Sequence, residues 1–190
     1  KCILQDSKKI VMLGGEHLVS YPVIKEFHEK YNDLHVLHFD AHTDLRDEFF
    51  GEKMSHATVI KRVHDFLGDD RIYQFGIRSG TKKEFEFGKA HTNLHKFDTK
   101  GLDDAIKKIG GDAVYVTIDL DVLDPSILPG TGTPEAGGIT FNEMMDAIQK
   151  MNGLNIVGAD IVELSPHYDA SGVSTAVACK ILRELLLITA

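Results

Sequence analysis

The stretch LHVLHFDAHTD, residues 34–44, places a largely apolar run directly before three regularly spaced polar residues, Asp40, His42 and Asp44. The apolar run predicts a buried strand over 34–39. Because side chains on an extended backbone alternate between its two faces, the i, i+2, i+4 spacing lets all three polar side chains point the same way. The stretch therefore predicts a strand that ends in a functional site.

Short apolar runs alternate with longer amphipathic segments along the rest of the chain. Further strands are predicted at 10–13, 71–76, 114–118 and 156–159, and helices at 18–31, 55–67, 141–151 and 173–187. Strands that alternate with helices of ten or more residues imply βαβ units. We therefore predict an α/β fold, a three-layer sandwich with a central parallel sheet. The Gly- and Pro-rich stretch 124–138 is too long for a simple turn and is interpreted as a functional loop.

The length of 190 residues fits one domain, predicted to span 1–190. Hydrophobic residues make up 43% and charged residues 26% of the chain, which excludes a disordered or fibrous protein. With 21 Lys and Arg against 29 Asp and Glu, the net charge is −8, which argues against nucleic acid or anionic lipid as a partner.

Nothing in the sequence predicts export or membrane insertion. No apolar run approaches the roughly 20 residues that span a bilayer, and the start of the chain lacks the apolar stretch of a secretory signal. Cys2 and Cys179 are too few for a disulfide framework and show no metal-ligand spacing. These features predict a protein of a reducing compartment, the cytoplasm.

Polar residues also follow three other predicted strands. They are His17, the pair Asp119 and Asp121, and Glu163. The carboxyl ends of parallel strands lie at one edge of a sheet, where ligands gather. We therefore expect these side chains to converge with the three polar residues of the opening stretch.

The expected cluster is rich in carboxylates, which repel one another unless cations neutralise them. Four Asp and two His are enough ligands for two metal ions with bridging carboxylates. Oxygen donors with some imidazole and no thiolate favour Mn²⁺ over Zn²⁺, Fe²⁺ or Co²⁺. Taken singly, the motifs have simpler explanations, because an Asp-x-Asp pair is usually a turn or helix cap and His17 alone is typical of a helix start. Their convergence favours a metal site.

The remaining histidines are interpreted as structural. His38 lies inside a predicted strand, which favours a buried, hydrogen-bonded residue. Surface or packing roles are expected for His28, His35, His64, His91 and His95.

Seven segments resemble the ureohydrolase family, which includes arginases and agmatinases. In chain order these are LGGEH (13–17), HFDAHTDLRD (38–47), SHAT (55–58), FGIRSG (75–80), VTIDLDVLDPS (116–126), GTGTPEAGG (130–138) and VELSP (162–166). The resemblance extends over nearly the whole chain. It implies an arginase-like α/β fold, a site for two Mn²⁺ at the edge of the sheet, and homo-oligomers, either trimers or hexamers.

The resemblance also implies a role for each residue of the expected cluster and for two more. One manganese would be held by His17, Asp40, Asp44 and Asp119, and the other by Asp40, His42, Asp119 and Asp121. His56 matches the family's mobile histidine, a proton shuttle. Glu163 matches the carboxylate that pairs with the substrate guanidinium, and Thr133 matches a loop residue that supports this carboxylate. Alone, His56 and Glu163 would be taken for an exposed helix-start residue and a strand-end carboxylate.

The implied reaction is hydrolysis of a guanidinium group to urea and an amine. A hydroxide that bridges the two metals attacks the guanidinium carbon. Asp44, near this nucleophile, is suited to move its proton toward the leaving amine. His56 then exchanges protons with solvent.

Several features favour agmatine as the substrate, with putrescine as the second product and polyamine biosynthesis as the setting. The stretch 45–51 resembles the agmatinase pattern, and the carboxylate that an arginase carries soon after Gly-x-Arg is absent after Arg78. Asp47 and Glu48 would attract the cationic end of agmatine, although Arg46 opposes this.

Other interpretations stay open. A guanidino acid such as guanidinobutyrate would place its carboxylate near Arg46 or Arg78, and Arg78 is equally plausible as a structural residue. A non-catalytic metal-binding homologue would be expected to lose ligands, and a single-zinc deacylase needs fewer of them. Family members carry further elements before LGGEH, so the resemblance implies that the amino-terminal part of the domain is missing.

Overall fold

The central sheet has six strands in the computed structural model, which describes residues 2–6 and 8–189 apart from the side chains of Cys2 and Gln5. The strands are β1 (Ile10–Leu13), β2 (His35–Phe39), β3 (Ile72–Ile77), β4 (Asn93–Lys96), β5 (Val114–Asp119) and β6 (Ile156–Val162). Their order is β1-β6-β5-β2-β3-β4, and neighbouring strands run parallel.

Helices connect the strands. Within the described residues they are α1 (Cys2–Gln5), α2 (Ser20–Lys30), α3 (Val59–Leu67), α4 (Lys82–His91), α5 (Leu102–Ile109), α6 (Phe141–Lys150) and α7 (Val173–Thr189). Short 3₁₀ turns lie at His17–Val19, His56–Thr58, Leu120–Val122 and Pro166–Tyr168.

Apolar side chains cover both faces of the sheet. On one face, Leu37 and Phe39 belong to a cluster with residues of α5, α6 and α7. On the other, Val36 and Tyr115 belong to a cluster with residues of α2 and α3. Consecutive residues of β2 thus enter opposite clusters, as a strand buried on both faces requires. The predicted α/β three-layer sandwich with a central parallel sheet is confirmed.

Some predicted boundaries differ from those observed. The helices predicted at 18–31 and 55–67 become α-helical later, because each begins with a 3₁₀ turn. Strand β6 runs on to Val162, past the predicted end at 159. The prediction stops early because Asp160, a buried acid, interrupts the apolar pattern. Residues 124–138, all of them described, contain no helix or strand.

Four of the described helices and strands lie outside the predicted set: α1, α4, β4 and α5. Helix α4 begins with a capping box formed by Thr81 and Glu84, a signal that is present in the sequence. Helix α5 buries an apolar face with i, i+3, i+7 spacing. Strand β4 is a short edge strand with the sequence NLHK, and so it lacks the apolar run by which the other strands are predicted.

Cys179 is a free, exposed thiol. This agrees with the sequence, which has too few cysteines for a disulfide framework and shows no metal-ligand spacing at Cys179. The prediction for Cys2 lies outside the described side chains. In the part of the chain that the structure describes, no helix is both long and apolar enough to cross a membrane.

The strand order brings four strand ends together, because β1, β6, β5 and β2 are neighbours. Backbone hydrogen bonds join the loop that follows β1 to the end of β6 and to the residue after it. Gly14 N donates to Ile161 O at 3.0 Å, and Glu163 N donates to Gly15 O at 2.8 Å. These bonds hold the loop that carries His17 against Glu163.

Close packing at Gly14 leads to a stability prediction. A Cβ there would lie 2.6 Å from Val19 Cγ2 and 3.0 Å from Val162 Cγ1, which is shorter than an unstrained carbon contact. We expect Gly14→Ala to lower the free energy of unfolding by about 1–3 kcal/mol, as measured by urea denaturation.

Gly15→Ala is the matched control, because nothing lies within 4 Å of a Cβ at that position. We expect it to change the free energy of unfolding by less than about 0.5 kcal/mol. Equal losses in the two variants would contradict the packing explanation.

Candidate metal centre

The polar residues predicted at strand ends converge at one edge of the sheet. Asp40 directly follows β2, Asp119 ends β5, and His17 and Glu163 follow β1 and β6. Asp44 and Glu163 have φ angles of 53° and 64°, a left-handed backbone that costs a non-glycine residue about 1–2 kcal/mol. Strain of this kind concentrates at functional sites.

Three carboxylates surround one ring nitrogen of His17. Its Nδ1 lies 3.2 Å from Asp40 Oδ2, 3.2 Å from Asp44 Oδ2 and 3.3 Å from Asp119 Oδ2. All four side chains are buried, and Nδ1 has no partner with hydrogen-bond geometry among the described residues. Ligand atoms around one divalent cation are separated by about 3 Å, so this cluster fits such an ion.

A second cluster adjoins the first. His42 Nδ1 lies 3.0 Å from Asp121 Oδ2 and 3.4 Å from Asp40 Oδ1. Asp40 thus directs one oxygen toward each histidine. The side chain of His42 is 24% exposed and that of His17 only 1%, so the second cluster lies nearer to solvent. The structure thus places six of the seven residues that were expected to converge in these two adjoining clusters, and the seventh, Glu163, lies beside them.

The side chains of the two clusters do not balance one another's charge. Burial and the charge of Asp40 raise the pKa of Asp44 to about 6, and burial and neighbouring carboxylates raise the pKa of Asp119 and Asp121. Burial opposes protonation of His42, but the carboxylates beside it outweigh burial and raise its pKa to about 12. These shifts indicate a site that favours added positive charge.

A chain of hydrogen bonds behind His17 fixes its ring. Thr117 Oγ1 lies 3.0 Å from His17 Nε2 and donates to Asp160 Oδ1 at 2.6 Å. Tyr115 donates to the other oxygen of Asp160 at 2.7 Å. Because the Thr117 hydroxyl hydrogen is used on Asp160, Thr117 accepts from Nε2, which directs Nδ1 to the carboxylates. Thr117 and Asp160 are not among the predicted site residues, because their only signal in the sequence is a polar residue inside an apolar strand.

His38 performs a similar task for Asp40. Gln74 Nε2 lies 3.0 Å from His38 Nδ1, and since an amide nitrogen is a donor, His38 Nδ1 accepts. His38 Nε2 then donates to Asp40 Oδ2 at 2.7 Å. This confirms His38 as a buried histidine with partners on both ring nitrogens.

Glu163 lies beside the first cluster. Its Oε1 accepts a hydrogen bond from the backbone N of His17 at 2.8 Å, and burial raises its pKa. The expected support of Glu163 by Thr133 differs from the observed contact. The Thr133 hydroxyl donates to Asp121 Oδ2 at 3.3 Å, because its loop passes beside the second cluster.

Glu16 connects the His17 loop to His56. Its Oε1 accepts from the backbone N of His56 at 2.6 Å and lies 3.1 Å from His56 Nδ1. Phe49 packs edge-on against the His56 ring, with 5.3 Å between ring centroids. The His56 side chain is 43% exposed, so it reaches solvent at the rim of the site. Glu16 lies in the LGGEH motif, but its role was not predicted. Its contact with His56 joins segments 40 residues apart, and no local sequence pattern indicates such a contact.

The two arginines considered for a substrate carboxylate are already engaged. Arg78 donates to the backbone carbonyls of Gly76, Asp121, Val122, Leu123 and Glu135, which supports a structural role. Arg46 Nε lies 3.4 Å from Glu84 Oε2. Arg46 also borders a cavity of about 170 Å³ that His42 and Asp44 help to line. Asp47 and Glu48 are exposed.

Known proteins resemble the chain over almost all of its length. It is 51% identical over 189 residues to an agmatinase from Bacillus cereus, covering 97% of this chain and 65% of the relative. It is 35% identical over 188 residues to a guanidinobutyrase from Pseudomonas aeruginosa, covering 93% of this chain and 59% of the relative. The chain thus spans about 65% of the length of the curated agmatinase.

A solved structure shares the fold. The crystal structure of a candidate agmatinase from Clostridium difficile superimposes with a TM-score of 0.96 at 55% identity, covering 99% of this chain and 70% of that one. The family model described as the arginase family matches residues 1–188. The chain therefore belongs to the arginase family.

Proposed function

We propose that the protein containing this chain is an agmatinase, a binuclear manganese hydrolase that converts agmatine and water to urea and putrescine. One observation carries this function: two adjoining carboxylate and histidine clusters lie next to Glu163, whose Oε1 is hydrogen-bonded to the backbone of His17. The 51% identity to an agmatinase supports the choice of substrate. Residues 1–190 belong to one catalytic domain in this proposal.

Six residues would hold the metals, with Asp40 and Asp119 shared: His17, Asp40, Asp44 and Asp119 for one ion, and Asp40, His42, Asp119 and Asp121 for the other. The ring of carboxylates at 3.2–3.3 Å around His17 Nδ1 supports this assignment, and the oxygen-rich donors favour Mn²⁺. When bound, the cations lower the pKa of water and so supply a nucleophile at neutral pH.

Glu163 would orient the substrate. A carboxylate and a planar guanidinium form paired, charge-assisted hydrogen bonds, which fix the guanidinium carbon for attack. The left-handed backbone of Glu163, with φ of 64°, turns its side chain toward the clusters. Thr133, whose hydroxyl contacts Asp121, would line the same pocket and bind substrate.

Asp44 and His56 would move the protons. A carboxylate oxygen of Asp44 takes a proton from the attacking water and passes it to the leaving nitrogen. His56 exchanges protons between the pocket and solvent, which agrees with its exposed position at the rim. Glu16 fixes the orientation of His56 through Nδ1, and so leaves Nε2 for the exchange.

The charges around the pocket favour a cationic tail on the substrate. Arg78 is bound to backbone carbonyls and Arg46 is paired with Glu84. Glu135 accepts from Ser79 Oγ at 2.9 Å and lies 3.9 Å from His42 Nε2, which adds negative charge beside the second cluster. An aminobutyl tail that ends in an ammonium group suits this rim better than a carboxylate.

Hydrolysis of a guanidino acid is the second candidate. Arg46 borders the cavity next to His42 and Asp44, and its side chain is 38% exposed. A substrate carboxylate that displaced Glu84 would find a cation there. The 35% identity to a guanidinobutyrase agrees with this possibility. A non-catalytic homologue is disfavoured, because all six ligands and Glu163 are retained.

We further propose that the protein is a cytoplasmic homo-oligomer, a trimer or hexamer, that acts in polyamine biosynthesis. Its partners would be small guanidino compounds and neither nucleic acid nor membrane, in keeping with the net charge of −8.

Urea release tests the proposed reaction directly. Full-length protein loaded with Mn²⁺ is incubated separately with agmatine, arginine and guanidinobutyrate, and EDTA-stripped protein serves as the blank. We expect urea mainly from agmatine, lost on stripping and restored by Mn²⁺. In Glu163→Gln, which keeps the shape but removes the charge, we expect kcat/KM to fall by about 100-fold or more with metal content unchanged.

Glu86→Gln, at an exposed position on α4, is the matched control and should keep full activity. If urea were released mainly from guanidinobutyrate, the second candidate function, hydrolysis of a guanidino acid, would replace the agmatinase proposal. No urea from any substrate, by a protein shown to bind two metals, would refute a catalytic function.

The affinity for Mn²⁺ tests whether Thr117 holds His17 in position for metal binding. Thr117→Val keeps the side-chain shape but removes the acceptor for His17 Nε2. We expect the affinity for Mn²⁺ to fall by about 10- to 100-fold, as measured by calorimetric titration of stripped protein. Thr189→Val, which removes a buried hydroxyl on α7 far from the site, should leave the affinity unchanged. Equal affinities in Thr117→Val and the parent protein would exclude the supporting role.

The contact between Glu16 and His56 gives a kinetic prediction. Glu16→Gln keeps an acceptor for the backbone N of His56 but removes the charge beside Nδ1. We expect kcat to fall by about 10-fold or more, with KM and Mn²⁺ affinity within about twofold, because neither substrate nor metal contacts are altered. A parallel loss of Mn²⁺ affinity would instead assign Glu16 to the positioning of His17.

A further inference from the structure

A third group of His and Asp side chains, of the types that can bind a metal ion, lies away from the candidate metal centre. We name His64, Asp69 and His91 the surface triad. His64 lies in the last turn of α3, Asp69 precedes β3, and His91 ends α4. The surface triad therefore sits near the amino end of β3, at the opposite edge of the sheet from Asp40 and its neighbours.

The surface triad converges on one oxygen atom. His64 Nε2 lies 2.8 Å from Asp69 Oδ1, and His91 Nδ1 lies 2.9 Å from the same atom. The two imidazole rings are 5.5 Å apart between centroids. A small widening of these contacts gives the separation of ligand atoms around one cation, about 3.3 Å in tetrahedral geometry.

The surrounding structure holds the two rings in place. Phe87 packs against both, with centroid separations of 5.0 Å to His64 and 4.4 Å to His91. Asp70 N donates to His91 O at 3.3 Å, which ties the turn to the end of α4. The ligands thus come from three separate segments that are already fixed relative to one another.

Local charge favours a cation. Helices α3 and α4 both end beside the surface triad, and helix carboxyl ends carry partial negative charge. Hydrogen bonds from His64 and His91 lower the pKa of Asp69, so the carboxylate is ionised near neutral pH. The nearby ammonium of Lys61 is paired with Asp65 at 2.5 Å.

We infer that the surface triad binds one divalent cation of the Zn²⁺ type, with water completing its coordination. Two imidazoles and one carboxylate are ligands that Zn²⁺ and Co²⁺ prefer, whereas Mn²⁺ favours the carboxylate-rich centre at the other edge. His64 Nδ1 is buried without a hydrogen-bond partner among the described residues. The affinity should therefore lie below that of zinc sites whose histidines have such a partner.

Metal at this position would clamp the ends of α3 and α4 and the turn before β3. Because the ion binds the folded chain only, saturating Zn²⁺ should raise the melting temperature by about 5 °C. The effect is independent of the proposed catalytic function, because none of these residues belongs to the candidate metal centre.

The test uses the full-length protein with its centre filled with Mn²⁺. Zn²⁺ binding is followed by calorimetry, Co²⁺ binding by the visible absorption of tetrahedral cobalt, and Mn²⁺ release is measured in parallel. We expect one additional ion per chain without Mn²⁺ release. His91→Gln and Asp69→Asn should each weaken this binding at least 10-fold and abolish the rise in melting temperature.

His167→Gln is the matched control, because it removes an exposed imidazole outside the surface triad and should leave the additional ion bound. Urea release should be the same in the parent protein and in both variants. The inference is overturned if no additional ion binds, if its affinity is unchanged in His91→Gln and Asp69→Asn, or if uptake is matched by Mn²⁺ release. Should His91→Gln fold poorly, Asp69→Asn decides, since it changes an exposed side chain.

Discussion

The close approach of four buried carboxylates at one sheet edge is the constraint on which the rest of this structure depends. Their mutual repulsion raises the free energy of the folded chain unless positive charge offsets it. The imidazoles of His17 and His42 supply part of that charge, yet the pKa of Asp119 stays raised. Divalent cations would complete the balance. Two surrounding hydrogen bonds keep the clusters in this arrangement: Thr117 holds the ring of His17, and His38 holds the carboxylate of Asp40.

Strand order makes such a cluster possible. Strand β5 lies between β6 and β2 although β3 and β4 precede it in the chain. Asp121 therefore meets the segment after β2, and accepts from the backbone N of Ala41 across 80 residues of sequence. Interior strands are covered on both faces, so their polar side chains must find partners inside the protein. Thr117 and Asp160 do so by bonding each other.

The convergence of the candidate ligands is easier to predict from the sequence than the residues that support them, for a physical reason. The i, i+2 spacing of Asp40 with His42, or Asp119 with Asp121, is a local property of one strand end and needs no knowledge of neighbours. Gln74, by contrast, reaches the ring behind Asp40 only because β3 lies beside β2. The three-layer fold could also be predicted from local patterns, because it follows from the alternation of strands and helices along the chain. Edge strand β4 has few apolar residues, so its formation depends on pairing with β3 and could not be predicted from its own sequence.

The buried end and the rim of the candidate site would act on different parts of the proposed substrate. The buried end gathers negative charge, and in the proposed function the rim would select the tail of the substrate. Arg78 is held by hydrogen bonds to several backbone carbonyls, and withdrawing it would deprive the carbonyl of Asp121 of its hydrogen bond to Arg78. Arg46 is held by an ion pair with the buried carboxylate of Glu84 and lies over the Phe49 ring, 4.9 Å from its centroid. In the proposed function, discrimination between cationic and anionic tails would therefore depend on whether Arg46 stays paired with Glu84. Under the same proposal, the neighbourhood of Arg46 is where a change of substrate class would be expected to arise; the relatives of the chain include an agmatinase and a guanidinobutyrase.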